Sequence, residues 1–260
     1  YRSGECGRRV SPCSSFKIAL AIMGFDSGIL LSPTAPTWEL KPEYHPSQRE
    51  LAYKEVYPAL WERDSVVWFS QQLTTRLGEA RFAQYVREFA YGNQDVAGDP
   101  GRHDGLTRSW LMSSLAISPE EQVRFHVCWG NYEGPHTHDV ALRDIVDLVL
   151  MVRAGAYSIE AANPRHAHEW RVWEDVQLPD GKVLIPGVID STTNFVEHPE
   201  VVAQRIEQFA GVVGRENVIA GTDCGFGTSA GSARVHPEIV WAKLAALAEG
   251  ARVASGRLWG

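Results

Sequence analysis

The sequence predicts an α/β protein built as a (β/α)8 barrel of the TIM type, and three observations carry that prediction. After residue 122, short apolar runs alternate with amphipathic stretches four times in succession. The runs VLIPGVI and NVIAG are near-continuously apolar, as strands of a parallel sheet covered on both faces must be. Polar residues gather directly after each run, where a closed barrel assembles its site, and no GxGxxG follows the first of them. The 260 residues suffice for one barrel. Residues 1–260 are therefore expected to form a single catalytic domain, with 121–258 well defined and 1–120 its divergent or truncated half.

Taken in order, residues 16–31 (FKIALAIMGFDSGILL) are an apolar run interrupted by Gly24 and Gly28, and fit either a buried strand or a short helix with a turn. Pro33, Pro36, Pro42 and Pro46 make the next stretch a loop. Leu51, Val56 and Leu60, with Ser47 as N-cap and Glu50 as its capping-box partner, predict a helix over 48–60. Phe82, Tyr85, Val86 and Phe89 form one stripe within helical patches over 65–91. Residues 92–105 read as a turn-rich linker. Strand 123–129 then leads to a helix over 140–154, and strand 156–161 to a loop and short helix. Strand 182–190 leads to a helix over 199–213, and strand 217–222 to a final helix over 238–254.

A formal net charge of −7 argues against a nucleic-acid or anionic-membrane partner and leaves small neutral or cationic substrates. Hydrophobic residues at 44% and charged residues at 22% exclude a disordered chain. No apolar stretch approaches the roughly 18 residues of a membrane span, and the start lacks the order of a signal peptide, so the expected location is cytoplasmic. Four cysteines without a secretion signal are expected to be reduced thiols, with Cys6 and Cys13 incidental.

The polar residues at the strand ends make the candidate site. His126 and Cys128 stand two apart on a strand and so face one side. Glu160 and Cys224 close later strands, which completes a His/Cys/Glu/Cys set suited to tetrahedral Zn2+. A zinc-bound thiol loses its proton, so this set points to alkyl transfer onto the sulfur of a small thiol, with Glu160 the exchangeable ligand. Glu160 has two alternative readings, as a general base or as a salt-bridge partner of Arg165. Asp190 either caps the turn at Ser191 and Thr192 or positions a substrate amine. The pairs His136/His138 and His166/His168 lie in loops and fit orientation, proton transfer or substrate contacts, the alternative being metal ligation in a hydrolase.

The motifs FHVCWGN, SIEAANPR, GVIDSTTNFVEHPE and IAGTDCGFGT resemble, in the same order, the C-terminal catalytic domain of cobalamin-independent methionine synthase and its shorter relatives, including epoxyalkane:coenzyme M transferase. The resemblance covers roughly 121–258. It implies a (β/α)8 barrel, zinc held by His126, Cys128, Glu160 and Cys224, and a role in methionine biosynthesis through methyl transfer to a homocysteine-like thiol. Asp190, His198 and His136 are the candidate catalytic residues. The methionine synthases place a histidine directly after the Asp; here Ser191 follows and the nearest histidine is His198. The family's Ile-Asp-Glu/Asp-Pro motif has no counterpart between Leu60 and Glu121. The alternatives are an epoxyalkane:coenzyme M transferase-like thiol alkyltransferase, a hydrolase using the His-x-His loops, and an inactive zinc-binding relative.

Overall fold

The computed structural model describes residues 7–132, 134–227 and 234–260, so Cys6 lies outside the described residues. The chain divides into two compact units, residues 1–119 and 120–260.

The first unit is mainly helical. A 3-10 turn over Cys13–Phe16 runs into α1 (Lys17–Asp26). The ambiguous apolar run is thus a helix, because Phe16, Leu20 and Met23 recur at helical spacing and are buried, while Ile18, Ile22 and Phe25 face outward. β1 (Trp38–Glu39) pairs antiparallel with β2 (Glu55–Val56), and α2 (Pro58–Asp64), α3 (Val67–Leu77), α4 (Glu79–Glu88) and the short α5 (Gly105–Arg108) follow. Gly78, at φ +80°, supplies the left-handed step between α3 and α4. The core is aromatic. Trp61, Trp68 and Trp110 are at most 1% exposed and pack with Phe16, Phe69 and Phe82. The Trp61 Nε1–H donates to Ser70 Oγ at 2.8 Å, which satisfies its one polar atom. Phe82, Tyr85 and Val86 are buried as their stripe predicts, whereas Phe89 stays exposed.

The helix expected over 48–60 is not formed. Residues 50–52 make one 3-10 turn, Glu55 and Val56 extend into β2, and helix resumes only at Pro58. The capping chemistry survives in another form. Glu50 Oε2 accepts from Ser47 N (3.0 Å) and Ser47 Oγ (2.7 Å), while Oε1 accepts from the Trp68 amide at the start of α3 (2.9 Å). Burial raises the Glu50 pKa, but the hydrogen bonds from Ser47, Trp68 and Val67 outweigh it and hold the carboxyl below its ordinary value. A depressed folded pKa gives stability that is present above the unfolded value of about 4.3 and lost as pH falls through the folded one. Glu50→Gln is therefore expected to cost about 2 kcal/mol at pH 7. Its gap to the unmodified chain should close toward pH 3, and urea unfolding at several pH values would refute this by showing a constant gap.

The boundary falls after the first residue of α6 (Pro119–Gln122), and the second unit carries the four βα units. These are β3 (Arg124–Val127) with α7 (Leu142–Leu150), β4 (Ala156–Ile159) with α8 (Val172–Asp175), β5 (Val183–Ile189) with α9 (Pro199–Val213), and β6 (Gly221–Thr222) with α10 (Pro237–Trp259). They form one parallel sheet in the order β3-β4-β5-β6, with His126 opposite Ser158 and Ser158 opposite Ile185. Leu184, Val188 and Ile189 are fully buried, as a doubly covered strand requires. Pro199 opens α9 at its first position, and the His198 side chain caps it by accepting from Glu200 N at 3.1 Å.

The (β/α)8 barrel expected for the whole chain is corrected. The described residues hold a single four-stranded parallel sheet with β3 and β6 at its margins, and residues 1–119 contribute a helical unit with its own core. The physical reason lies in the spacing of the apolar residues before 119. Within α1, α3 and α4 they recur at three and four positions, which builds helices around a shared core rather than buried parallel strands.

Candidate functional site

Two constellations bear chemistry, one in each unit. In the first, Ser14 stands in the 3-10 turn that opens α1, and Lys17 follows three residues later on the same helical face. Ser65, the left-handed residue that closes α2, donates from its Oγ to Ser14 Oγ at 3.1 Å. Lys17 Nζ donates to the Glu62 carbonyl at 2.8 Å, and the Glu62 carboxylate lies 3.6 Å away. Cys13 (φ +47°) and Ser65 (φ +55°) are both non-glycine residues held in the left-handed region, on either side of this contact. Strain of this kind persists only where the surroundings enforce it, and it collects at reactive sites. The buried Trp110 ring stacks on Phe16, its carbonyl accepts from Cys13 N at 3.0 Å, and its Nε1–H has no acceptor among the described residues. Sequence reasoning missed this site. The signal was Ser-x-x-Lys at 14–17, which matches a known nucleophile-and-lysine pattern but stood in what read as a polar lead-in.

In the second unit the β3 end and the β6 end meet. The ligand atoms of His126, Cys128 and Cys224 all lie within 4.8 Å of one another. Cys224 Sγ is 3.3 Å from Cys128 Sγ and 3.2 Å from His126 Nε2, and His126 Nδ1 is 3.1 Å from Ser158 Oγ. Glu160 Oε1 reaches Cys224 Sγ at 3.4 Å but also accepts the Trp129 amide at 2.8 Å. Its Oε2 accepts from Asn163 Nδ2 (2.9 Å) and Arg165 Nη2 (3.2 Å), so its salt-bridge reading is realised alongside the contact to sulfur. Tetrahedral zinc at about 2.3 Å from sulfur and 2.0 Å from oxygen separates its ligand atoms by about 3.5–3.8 Å. The donor set fits the ion by type and by distance. Burial first, then the Cys128 hydrogen bond and the Glu160 charge, push the Cys224 thiol well above its ordinary range. Such a thiol keeps its proton unless a cation sits beside it.

The other expected residues lie apart from this cluster or are otherwise engaged. Asp190 Oδ1 accepts from Thr192 N (2.6 Å) and Thr192 Oγ1 (2.8 Å), the turn-capping arrangement. His198 caps α9. His136 Nδ1 lies 3.0 Å from Asp139 and 2.9 Å from Arg165, which also contacts Asp139. Burial raises the Asp139 pKa, but His136 and Arg165 outweigh it and hold the carboxyl below its ordinary value. His166 is buried, with Nδ1 2.7 Å from Glu169 Oε2, and its ring packs 4.2 Å from Trp129. Neither His-x-His pair gathers into a metal cluster among the described residues.

Two family models match the chain: the penicillin binding protein transpeptidase domain over residues 1–135, and the catalytic domain of cobalamin-independent synthase over residues 104–246. Beta-lactamase OXA-9 of Klebsiella pneumoniae is 74% identical over 125 residues, which are 48% of this chain and 46% of that protein. The OXA-427 class D β-lactamase structure is 48% identical, with TM-score 0.42, over 45% of this chain and 48% of that one. The B12-independent methionine synthase of Shewanella sp. W3-18-1, solved with selenomethionine, is 19% identical, with TM-score 0.41, over 54% of this chain and 41% of that one. The chain spans about half the length of the curated relatives it matches.

These matches correct the expected function. Nearly half of the chain is similar to a β-lactamase, which the expectation of one zinc-dependent thiol methyl- or alkyltransferase in methionine biosynthesis did not include. The methionine synthase resemblance is upheld over residues 104–246 alone. The epoxyalkane transferase, His-x-His hydrolase and inactive-relative alternatives gain no support from them. Among the described residues, no helix is long and apolar enough to cross a membrane.

Proposed function

Since the chain belongs to the penicillin binding protein transpeptidase domain family over residues 1–135 and to the cobalamin-independent synthase catalytic domain family over 104–246, we propose that it opens β-lactam rings by acylation of Ser14. The observation that carries this reading is the Ser14 hydroxyl, exposed, one helical turn before Lys17 and 3.1 Å from Ser65 Oγ. A serine hydroxyl needs a base to become a nucleophile at neutral pH, and Lys17 is the basic group that the motif supplies. Ser14 Oγ adds to the lactam carbonyl carbon, and its proton passes to Lys17 acting as the neutral amine. The ring C–N bond then breaks and the nitrogen takes a proton through Ser65 Oγ. Water afterwards cleaves the ester and frees Ser14. The OXA-9 relative, a β-lactamase by name, supports the substrate class. Incubation of the whole chain with a penicillin, followed by peptide mass spectrometry, is expected to place the added mass on the peptide that holds Ser14. No adduct, or an adduct elsewhere, would overturn the reading.

A second reading concerns the second unit and rests on the 4.8 Å cluster of His126, Cys128 and Cys224. These residues would hold one Zn2+, with Glu160 Oε1 the fourth donor in reach. The ion would supply a charge that keeps both thiols ionised. The chain's own part is to fix the histidine through Ser158 and the carboxylate through Asn163 and Arg165. About one zinc per chain is expected by metal analysis, falling well below that in Cys224→Ser. Less than half an equivalent in the unmodified chain would count against it.

A further inference from the structure

We propose that Asp223 is a positioning residue that sets the spacing of the Glu160 and Cys224 donors by clamping together the strand ends that carry them; the proposal rests on the zinc reading of this site. Asp223 is 2% exposed and directly precedes Cys224. Its Oδ1 accepts the amides of Ala161 and Ala162, each at 2.8 Å, and its Oδ2 accepts Asn163 N and Asn163 Nδ2, each at 2.9 Å. All four donors belong to the segment that begins one residue after Glu160. Three consecutive main-chain N–H groups therefore converge on one carboxylate, a concave anion-binding arrangement filled by a side chain of the neighbouring strand end.

The clamp reaches the donors themselves. Asn163 Nδ2 also donates to Glu160 Oε2 at 2.9 Å, so one amide group ties Asp223 to the carboxylate that faces the sulfur. Asp223 N donates to the Ile189 carbonyl at 3.0 Å, which anchors the same point to β5. Gly187 on β5 is required for this packing, because a β-carbon there would collide with Asp223 Oδ1. β6 has only two residues, so its ladder contributes little to fixing Cys224, and the side-chain clamp adds to the bond that Cys224 N donates to Ser191 Oγ at 3.2 Å. The clamp thus bears on the 3.4 Å separation of Cys224 Sγ and Glu160 Oε1.

The test compares the full chain with Asp223→Asn, Asn163→Ala and a control, Val146→Ala, in the buried face of α7. Zinc affinity is read by competition with a chromogenic chelator, donor geometry by the visible bands of Co2+ in the same site, and stability by metal-free melting. Asp223→Asn and Asn163→Ala are each expected to weaken zinc about 10- to 100-fold and to shift the Co2+ bands. Val146→Ala should lower the melting temperature with affinity and bands unchanged. The proposal falls if both site variants bind zinc within twofold of the unmodified chain with the same bands, or if the control loses as much affinity. Should Asp223→Asn fail to fold, Asn163→Ala decides alone, since it keeps the three main-chain bonds. An unmodified chain that takes up no zinc overturns the zinc reading at the first step, and the proposal with it.

Discussion

Lys243→Ala is expected to destabilise the second unit by about 3–5 kcal/mol. Lys243 sits on α10 with no exposed surface, and its ammonium lies 3.0 and 2.8 Å from the two oxygens of Glu197. Glu197, in the segment between β5 and α9, also accepts the Asp190 amide at 2.8 Å. Removing the cation leaves a largely buried carboxylate with, among the described residues, the neutral Asp190 amide as its remaining donor, and an uncompensated charge of that kind costs more than the pair contributed. Replacing both partners with apolar residues of similar volume, Lys243→Met with Glu197→Leu, should recover most of the loss. Urea unfolding together with hydrogen exchange along α9 and α10 checks both statements. A cost below about 1 kcal/mol for the single variant would show that water already reaches the pair.

Ser14→Ala is expected to lower the rate of β-lactam acylation by about 10⁴-fold or more, because the variant has no oxygen to form the ester. Ser65→Ala should cost less, on the order of 10²-fold, since it removes a proton path and leaves the nucleophile. Ser14 is exposed and its removal creates no cavity, so melting should not move with the rate. Stopped-flow measurement with a chromogenic cephalosporin separates the two effects. Equal acylation by Ser14→Ala and the unmodified chain would remove Ser14 from the reaction.

Legibility in the sequence followed the physics of each segment. β5 could be read because Val183–Ile189 is apolar throughout and flanked by turn residues, and α9 because Pro199 marks its first residue. The cluster of His126, Cys128 and Cys224 was legible because strand geometry sends residues two apart to one side and parallel strands end together. Glu160 was legible only in part, since its hydrogen bonds to Trp129, Asn163 and Arg165 come from loops whose path no periodicity encodes. The run at 16–31 was ambiguous because its apolar residues occupy both faces of α1, and burial alone separates Leu20 from Ile22. The Ser47/Glu50 pair pointed to a helix start, yet Glu50 spends its second oxygen on α3. The Ser14 site escaped notice because Ser65 reaches it across 51 positions of chain.

The separation of the first unit's core from the clusters of the second has a consequence for cooperativity. Phe16, Trp61, Trp68 and Phe69 share one apolar cluster, while Leu142, Tyr157, Ile159 and Leu184 share another, and each is complete within its own stretch of sequence. Two-state unfolding is characteristic of small single domains, and a chain with separate cores falls outside that case, so one midpoint does not define its stability. Damage is local as well. A substitution that empties the aromatic cluster removes no side chain from the clusters of the second unit.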